Sequence, residues 1–374
     1  MKIAMIGHKQ FPSRSGGIEV VVYELATRLI KLGETVFVYD RYELDKKRKY
    51  PKGSYKGVQI KLCPTVSNSK VNALLASITG SIRVLFSKPD VIHYHAIGPC
   101  AMIWLPHLFG IHTVATIHGL DWQRCKWGQF ASTYLKFGER MAVKYADEII
   151  VLSEDMQKYF MDTYGRETNL IKNGISKMET VSPNLIHKYG LETDNYILYL
   201  GRIVPEKKVD KLIEAYNHLD TNKKLVIAGD LDNSEYCNKI RKMVNDNENI
   251  IFTGFVKGRL LKELYSNAYL FVLPSDLEGC SIALLEALSY GIRVLVSDIE
   301  ENREVVGEYA TTFEVNNEED FENKLKNILE SDSPHYNEKQ VEYVLKKYNW
   351  DDVVEKTMEL YKSKKLNNQF ICFM

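Results

Sequence analysis

The sequence predicts an α/β protein built from two doubly wound, Rossmann-like domains, and three observations carry that prediction. Short apolar runs alternate with longer amphipathic segments along the chain, the rhythm of βαβ units on a parallel sheet. The rhythm loosens once, over residues 173–195, where a polar stretch containing Pro183 precedes a fresh strand, YILYLG. The length of 374 residues is more than one α/β core usually holds and less than three full domains need.

Taken in order, KIAMIG reads as a strand, Ile18 to Leu32 as a helix with apolar residues at helical spacing, and TVFVYD as the next strand. VQIKLC, DVIHYH, HTVATIH, EIIVLS and NLIKNG continue the strand series, with helical stretches at Asn72 to Phe86 and Thr133 to Tyr145. The least polar stretch, Ala96 to Ile117, is interrupted by Pro99, Pro106, His107, Gly110 and His112. It falls short of the ~18 uninterrupted apolar residues of a spanning helix and reads as a buried helix followed by a strand. The second series is YILYLG, KLVIAG, NIIFTG, LFVLPS, RVLVSD and ATTFEV. No self-similar period appears, which disfavours solenoids and propellers.

Composition narrows the function classes. With 45% hydrophobic and 26% charged residues the chain has ample apolar surface to bury, so disordered and low-complexity classes are excluded. The net charge is zero and marks no nucleic-acid binder. Residues 1–175, however, hold 24 Lys/Arg against 15 Asp/Glu and the remainder 25 against 34, so the two parts carry +9 and −9. This asymmetry points to different partners for the two domains. The cysteines (Cys63, Cys100, Cys125, Cys237, Cys280, Cys372) form no CxxC pair, so neither a metal site nor a disulfide framework is expected and a reducing cytoplasm fits best. The apolar run in MKIAMIGHKQ is too short for a signal-peptide core of roughly 7 to 15 residues.

Parallel sheets bind ligands beyond the carboxyl ends of their strands, and four segments there carry chemistry. PSDLEGCSIALLEALSYG follows the strand Leu270 to Leu273 and opens a helix at Ser281, a plausible N-cap, that stops at Gly291. Backbone N–H groups of Gly279, Cys280 and Ser281 suit phosphate oxygens, while Glu278 and Glu286 suit sugar hydroxyls. Gly279 to Glu286 spans roughly 10 Å of helix, close to a diphosphate with a sugar on each side. GRIVPEKK places Arg202 and Lys207 after YILYLG, two cations suited to clamp a diphosphate. In Gly7 to Glu19 no dinucleotide fingerprint is present, but Gly16 and Gly17 let the backbone approach an anion. His118 ends TVATIH, where a ring nitrogen can donate to a substrate hydroxyl. Asn173, within NLIKNG, is a further substrate-binding candidate. His93 and His95 form an HxH pair without further ligands, and Asp230 and Asp232 form a DLD that reads as a loop or cap element, so no metal is expected.

With these segments in hand, the chain resembles the GT-B glycosyltransferases of the large retaining family 4. GRIVPEKKVDKLIEA resembles that family's GR-x-x-x-EKG element and EGCSIALLE its E-x7-E element, with IIFTG, LFVLPS, EALSYG and VSDIEENREVV following in order. GHKQFPSRSGGIEVVVYELATRL and HGLDWQRCKWG resemble a branch that includes rhamnosyltransferases of bacterial surface-polysaccharide assembly. The resemblance implies two Rossmann-like domains facing across a cleft: an acceptor-binding domain over 1–178, a donor-binding domain over 179–350 and a last helix over 351–366 crossing back to the first. It implies that Arg202 and Lys207 bind the donor diphosphate, Glu286 the nucleoside ribose, and Glu278 the donor sugar with the Gly279 to Ser281 backbone. His118 falls at a donor-sugar contact and Gly16 and Gly17 in the phosphate-facing loop. Two departures stand out: Lys208 replaces the usual glycine and Arg293 a typical proline.

The expected activity is metal-independent, cofactor-free transfer of a sugar from a nucleotide diphosphate, with dTDP-rhamnose as a candidate donor, to a glycan or lipid-linked acceptor with retention. No nucleophilic carboxylate is identifiable, so double displacement is not supported. The seven Lys/Arg of residues 45–61, followed by apolar positions Val71, Leu74, Leu75, Ile78, Ile82 and Leu85 at helical spacing, suggest peripheral contact with anionic lipid at the inner face of the cell membrane. The competing reading of that segment is a core-facing helix beside a solvated loop. The alternatives for the whole chain are a sugar-nucleotide epimerase of the same fold and a non-catalytic donor-binding regulatory subunit.

Overall fold

The computed structural model describes residues 1–44, 53–68, 71–123, 129–244, 247–331 and 336–371, without side-chain detail at 130 and 364–371. The chain divides into two compact units, Met1–Asn173 with Trp350–Met374, and Gly174–Asn349.

In the first unit the elements run β1 (Lys2–Ile6), α1 (Gly17–Lys31), β2 (Thr35–Glu43), β3 (Gly53–Tyr55), β4 (Val58–Thr65), α2 (Asn72–Leu85), β5 (Val91–His95), α3 (Ile97–Cys100), α4 (Trp104–Leu108), β6 (His112–Ile117), α5 (Gln129–Tyr145), β7 (Glu148–Val151), α6 (Glu154–Tyr164) and β8 (Asn169–Leu170). They build an eight-stranded sheet of order β3-β4-β2-β1-β5-β6-β7-β8, parallel except for the β3–β4 hairpin. The strand order reverses between β1 and β5, the place where doubly wound sheets open a crevice. Ile3 to Met5, Val91 to His95 and His112 to Ile117 are buried along their lengths, as expected of central parallel strands covered on both faces.

The α2 helix sets the first unit's outer surface. Ala76, Ser77, Gly80, Ser81 and Val84 form its buried face. A Cβ on Gly80 would lie 3.2 Å from the Cys63 sulfur, so the small residue lets the helix settle close to β4. The bulky positions Leu74, Leu75, Ile78 and Leu85 are therefore only half-buried, and Ile82 and Phe86 are exposed. The apolar run from Ala96 to Ile117, expected to hold one buried helix, holds the two short helices α3 and α4 instead. Leu108 and Phe109 at the end of α4 are exposed.

The second unit runs β9 (Tyr196–Leu200), α7 (Val209–Asn217), β10 (Lys224–Ala228), α8 (Glu235–Val244), β11 (Ile250–Phe252), α9 (Gly258–Ser266), β12 (Leu270–Leu273), α10 (Ile282–Ser289), β13 (Arg293–Ser297), α11 (Glu300–Val306), β14 (Thr311–Phe313), α12 (Glu318–Leu329) and α13 (Glu338–Lys347). Its six strands lie in the order β11-β10-β9-β12-β13-β14, all parallel, with the reversal between β9 and β12. The last helix, α14 (Trp350–Ile371), belongs to the first unit, where the Tyr361 hydroxyl meets His93 and the Leu360 carbonyl meets His112.

Arg293, where the resembled family has proline, has a definite role at the start of β13. Its guanidinium donates to the carbonyls of Ile328 and Ser331 and lies over the Tyr269 ring, 4.8 Å from the centroid. A cation at the carboxyl end of α12 is favoured by the helix dipole, and the Tyr269 hydroxyl shares the same two carbonyls.

Candidate functional site

The reversal between β9 and β12 brings together the two second-unit segments that the sequence singles out. Gly201 follows β9, its N–H bonded to the Ala228 carbonyl at 3.0 Å. A short 3-10 turn over Pro205–Lys207 then leads into α7. The Asp276 N–H donates to the Glu206 carbonyl at 3.0 Å, tying this loop to the one after β12. Across that tie the Lys207 ammonium pairs with the Glu278 carboxylate, and both side chains are largely withdrawn from solvent, 13% and 7% exposed. Lys208 pairs with Asp276 at 2.8 Å. Lys208 also sits at φ 49°, ψ 39°, a left-handed conformation that glycine adopts without strain.

The loop after β12 ends at Ser281, which caps α10: its hydroxyl accepts the Leu284 N–H at 3.4 Å. Gly279, Cys280 and Ser281 precede the helix, at the positive end of its dipole. Glu286 lies in the second turn and is buried. Arg202 is exposed, and its carbonyl accepts the Tyr199 hydroxyl at 2.8 Å. Burial first, and then the nearby Glu278 charge, hold the Tyr199 hydroxyl neutral far above its ordinary range.

The first unit gathers a row of histidines along the carboxyl edge of its sheet. His8 follows β1 and pairs with Asp40 of β2 at 2.8 Å, both side chains fully buried. His95 closes β5, and His118 follows β6 with its ring stacked on that of His95. The Gly119–Gln123 segment behind His118 is pinned by Glu139 of α5. This buried carboxylate accepts the Trp122 indole N–H at 2.8 Å and the hydroxyls of Tyr159 and Tyr164 at 2.7 and 2.6 Å. Gly16 is the N-cap of α1 and Gly17 its first residue. A Cβ on Gly16 would come within 2.6 Å of a Glu19 oxygen, and Glu19 in turn accepts the Lys9 N–H at 3.0 Å. Asn173 is buried at the end of the unit.

The structure thus draws Lys207, Glu278 and Gly279 to Ser281 into one locus in the second unit, with Arg202 and Glu286 on the adjoining elements. Three partnerships were not visible in the sequence: Lys207 with Glu278, Lys208 with Asp276, and Asp40 with His8. Each joins residues distant along the chain, and only the adjacency of two strands brings them together. His93 is engaged by Tyr361 and Thr116, each at 2.6 Å. Asp230 accepts the Phe255 N–H at 2.9 Å, and Asp232 accepts the Ser234 N–H at 2.9 Å, so both carboxylates of the DLD hold backbone. Among the described residues no three His, Cys, Asp or Glu side chains converge as a metal would require.

Two family models match the chain: Glycosyltransferase Family 4 over residues 15–177 and Glycosyl transferases group 1 over residues 182–344. An uncharacterised glycosyltransferase of Methanocaldococcus jannaschii is 25% identical, over 97% of this chain and 98% of that protein. The O-antigen chain mannosyltransferase of Salmonella typhimurium is 27% identical over 52% of this chain and 54% of its own length. Among solved structures, sucrose-phosphate synthase from Thermosynechococcus elongatus superposes with a TM-score of 0.84 at 19% identity, covering 98% of this chain and 99% of that one.

Proposed function

We propose that this chain, a GT-B-fold glycosyltransferase related to families 4 and 1, transfers a sugar from a nucleotide diphosphate to a glycan or lipid-linked acceptor with retention and without a metal. The observation that carries the proposal is the buried Lys207–Glu278 pair at the carboxyl edge of β9 and β12, beside the Ser281-capped start of α10. An ammonium, helical N–H groups and a carboxylate side by side are a receptor for a phosphate joined to a polyol.

In this reading Lys207 and Arg202 hold the diphosphate, the Gly279 to Ser281 backbone donates to its oxygens, Glu278 takes a hydroxyl of the donor sugar and Glu286 the ribose. The bond from the anomeric carbon to the phosphate oxygen breaks while the acceptor oxygen bonds to the same face of that carbon. The acceptor proton passes to the departing phosphate, whose charge the cations and helix start stabilise. In the first unit, His118 and the Gly16–Gly17 turn contact the donor, and Asn173 is a further substrate contact. The assignments of His118, Gly16 and Gly17 rest on the family resemblance. So does dTDP-rhamnose as the donor, and part of the segment supporting it, residues 124–128, lies outside the described residues.

A panel of nucleotides and nucleotide sugars tests the proposal. The matching donor at 100 times its dissociation constant adds about 2.7 kcal/mol to stability. Nucleoside diphosphate is then released only when acceptor is present, and chelator leaves the rate unchanged. Sugar interconversion without acceptor would instead establish the epimerase, and a strict divalent requirement would overturn the metal-free mechanism.

Contact with a membrane belongs to the same proposal. Phe86, Leu108 and Phe109 are 83%, 69% and 67% exposed, too open for core positions, and α2 packs against α4. Arg83 and Lys88 are exposed beside them, while the basic residues 45–52 lie outside the described residues. No helix among the described residues is long and apolar enough to cross a membrane, so the contact would be peripheral. Burying an Ile or Phe is worth about 1.5–3 kcal/mol, so Ile82→Asp with Phe86→Asp should weaken flotation with anionic vesicles by about 10-fold or more. Binding that ignores both substitutions and salt would discard this surface.

A further inference from the structure

A hydrogen-bond relay runs across the carboxyl edge of β13, β12 and β9, which are neighbours in the second unit's sheet. It starts at Asn302 of α11, whose buried side-chain amide donates to the Ser297 carbonyl at 3.2 Å and to the Ser297 hydroxyl oxygen at 3.0 Å. Ser297 is the last residue of β13, also buried, and its hydroxyl donates to the Ser275 carbonyl. The next N–H along the chain, that of Asp276, donates to the Glu206 carbonyl at 3.0 Å. Glu206 is joined directly to Lys207.

The direction of the relay is fixed at its buried end. Reversing the Asn302 amide would set its oxygen against the Ser297 carbonyl, two acceptors with no proton between them. With the nitrogen facing Ser297 both amide protons are used, and the amide oxygen is left buried with no hydrogen-bond partner among the described residues. An unfilled acceptor is the lesser cost of the two. The Ser297 oxygen receives an N–H and turns its own proton to the Ser275 carbonyl. In the trans peptide between Ser275 and Asp276 the C=O and N–H point opposite ways, so this one peptide group is gripped from β13 on one side and from the loop after β9 on the other. Each bond polarises the next in the same sense, which strengthens a buried chain.

We infer that Ser297 and Asn302 are positioning residues for the Lys207 cation: through the Ser275–Asp276 peptide they hold the loop that carries Lys207 against the loop that carries Glu278. The catalytic half of this inference rests on the transferase reading; the relay does not.

Hydrogen exchange at the Asp276 amide of the full chain reads the relay without any substrate. Exchange there should be about 10-fold faster or more in Ser297→Ala and in Asn302→Ala than in wild type. Unchanged exchange in either variant would overturn the relay. In turnover assays Ser297→Ala should lower kcat/KM by about 10-fold in the wild-type background. Added to Lys207→Ala it should cost less than about 3-fold more, because the cation it positions is gone. An equal loss in the two backgrounds would reveal a general weakening of the domain and overturn the positioning role, as would unchanged turnover in Ser297→Ala. If Ser297→Ala does not fold, Asn302→Ala, which leaves the Ser297 hydroxyl in place, enters the same comparison. Absence of transfer by wild type with every donor would count against the transferase reading, while the exchange measurement would still decide the relay.

Discussion

Lys207→Ala is expected to lower turnover by about 10²- to 10³-fold, the range seen when one preorganised donor is removed from a developing oxyanion. In the proposed reaction the leaving nucleotide gains negative charge as the glycosidic bond breaks, and Lys207, 13% exposed and anchored against Glu278, is the cation proposed to meet it. Lys207 pairs with Glu278 in the structure, so under the proposed function a diphosphate would exchange one anionic partner of Lys207 for another and release the carboxylate to the sugar. Loss of rate and loss of fold can be separated. Lys207→Ala alone strands a withdrawn carboxylate, which costs stability. Adding Glu278→Gln removes the stranded charge, so the double variant should recover much of the melting temperature and none of the turnover. Single-variant turnover within about 3-fold of wild type would remove Lys207 from the mechanism.

The sequence made some of this legible and hid the rest for physical reasons. Strands such as Ile197 to Leu200 and Leu270 to Leu273 announce themselves because a parallel strand covered on both faces is apolar throughout. The hairpin strand β3 is three exposed residues, Gly53–Tyr55, and leaves no periodic trace. The α2 helix shows where pattern reading stops. Its bulky apolar stripe is plain in the sequence, but the sheet takes the face of Ala76, Ser77, Gly80 and Ser81, because close approach needs small side chains. The Ser281 cap was legible because capping is local. The Lys207–Glu278 pair spans 71 positions and could not be read before the adjacency of β9 and β12 was known. Lys208 lies between these cases: a missing glycine marked the position, and only the structure supplied the left-handed backbone and its Asp276 partner.

Gly229→Ala should be the most disruptive single-methyl change near the donor locus. Gly229 follows β10, and a Cβ there would stand 2.2 Å from the Gly201 carbonyl oxygen and 3.2 Å from a side-chain carbon of Ile203. The clash is with backbone, at the point where the Gly201 N–H is bonded to the Ala228 carbonyl, so no side chain can swing aside to relieve it. The strand ends must separate instead. Overpacking of this kind costs about 1–3 kcal/mol, and the upper end applies when backbone has to move. At about 2–4 °C per kcal/mol, the second unit's unfolding midpoint should fall by about 6–12 °C. The segment pushed outward is the one that carries Arg202 and leads to Lys207, so donor affinity should weaken together with stability. Gly33→Ala separates this effect from backbone strain alone: Gly33 has φ 84° with nothing within 4 Å of a built Cβ. That variant should cost only about 1–2 kcal/mol, the penalty of a left-handed L-residue, and leave donor binding unchanged. A melting temperature for Gly229→Ala within about 1 °C of wild type would show that the carboxyl edge of β9 and β10 yields to a methyl group, and that Arg202 and Lys207 are held less rigidly than a preorganised clamp requires.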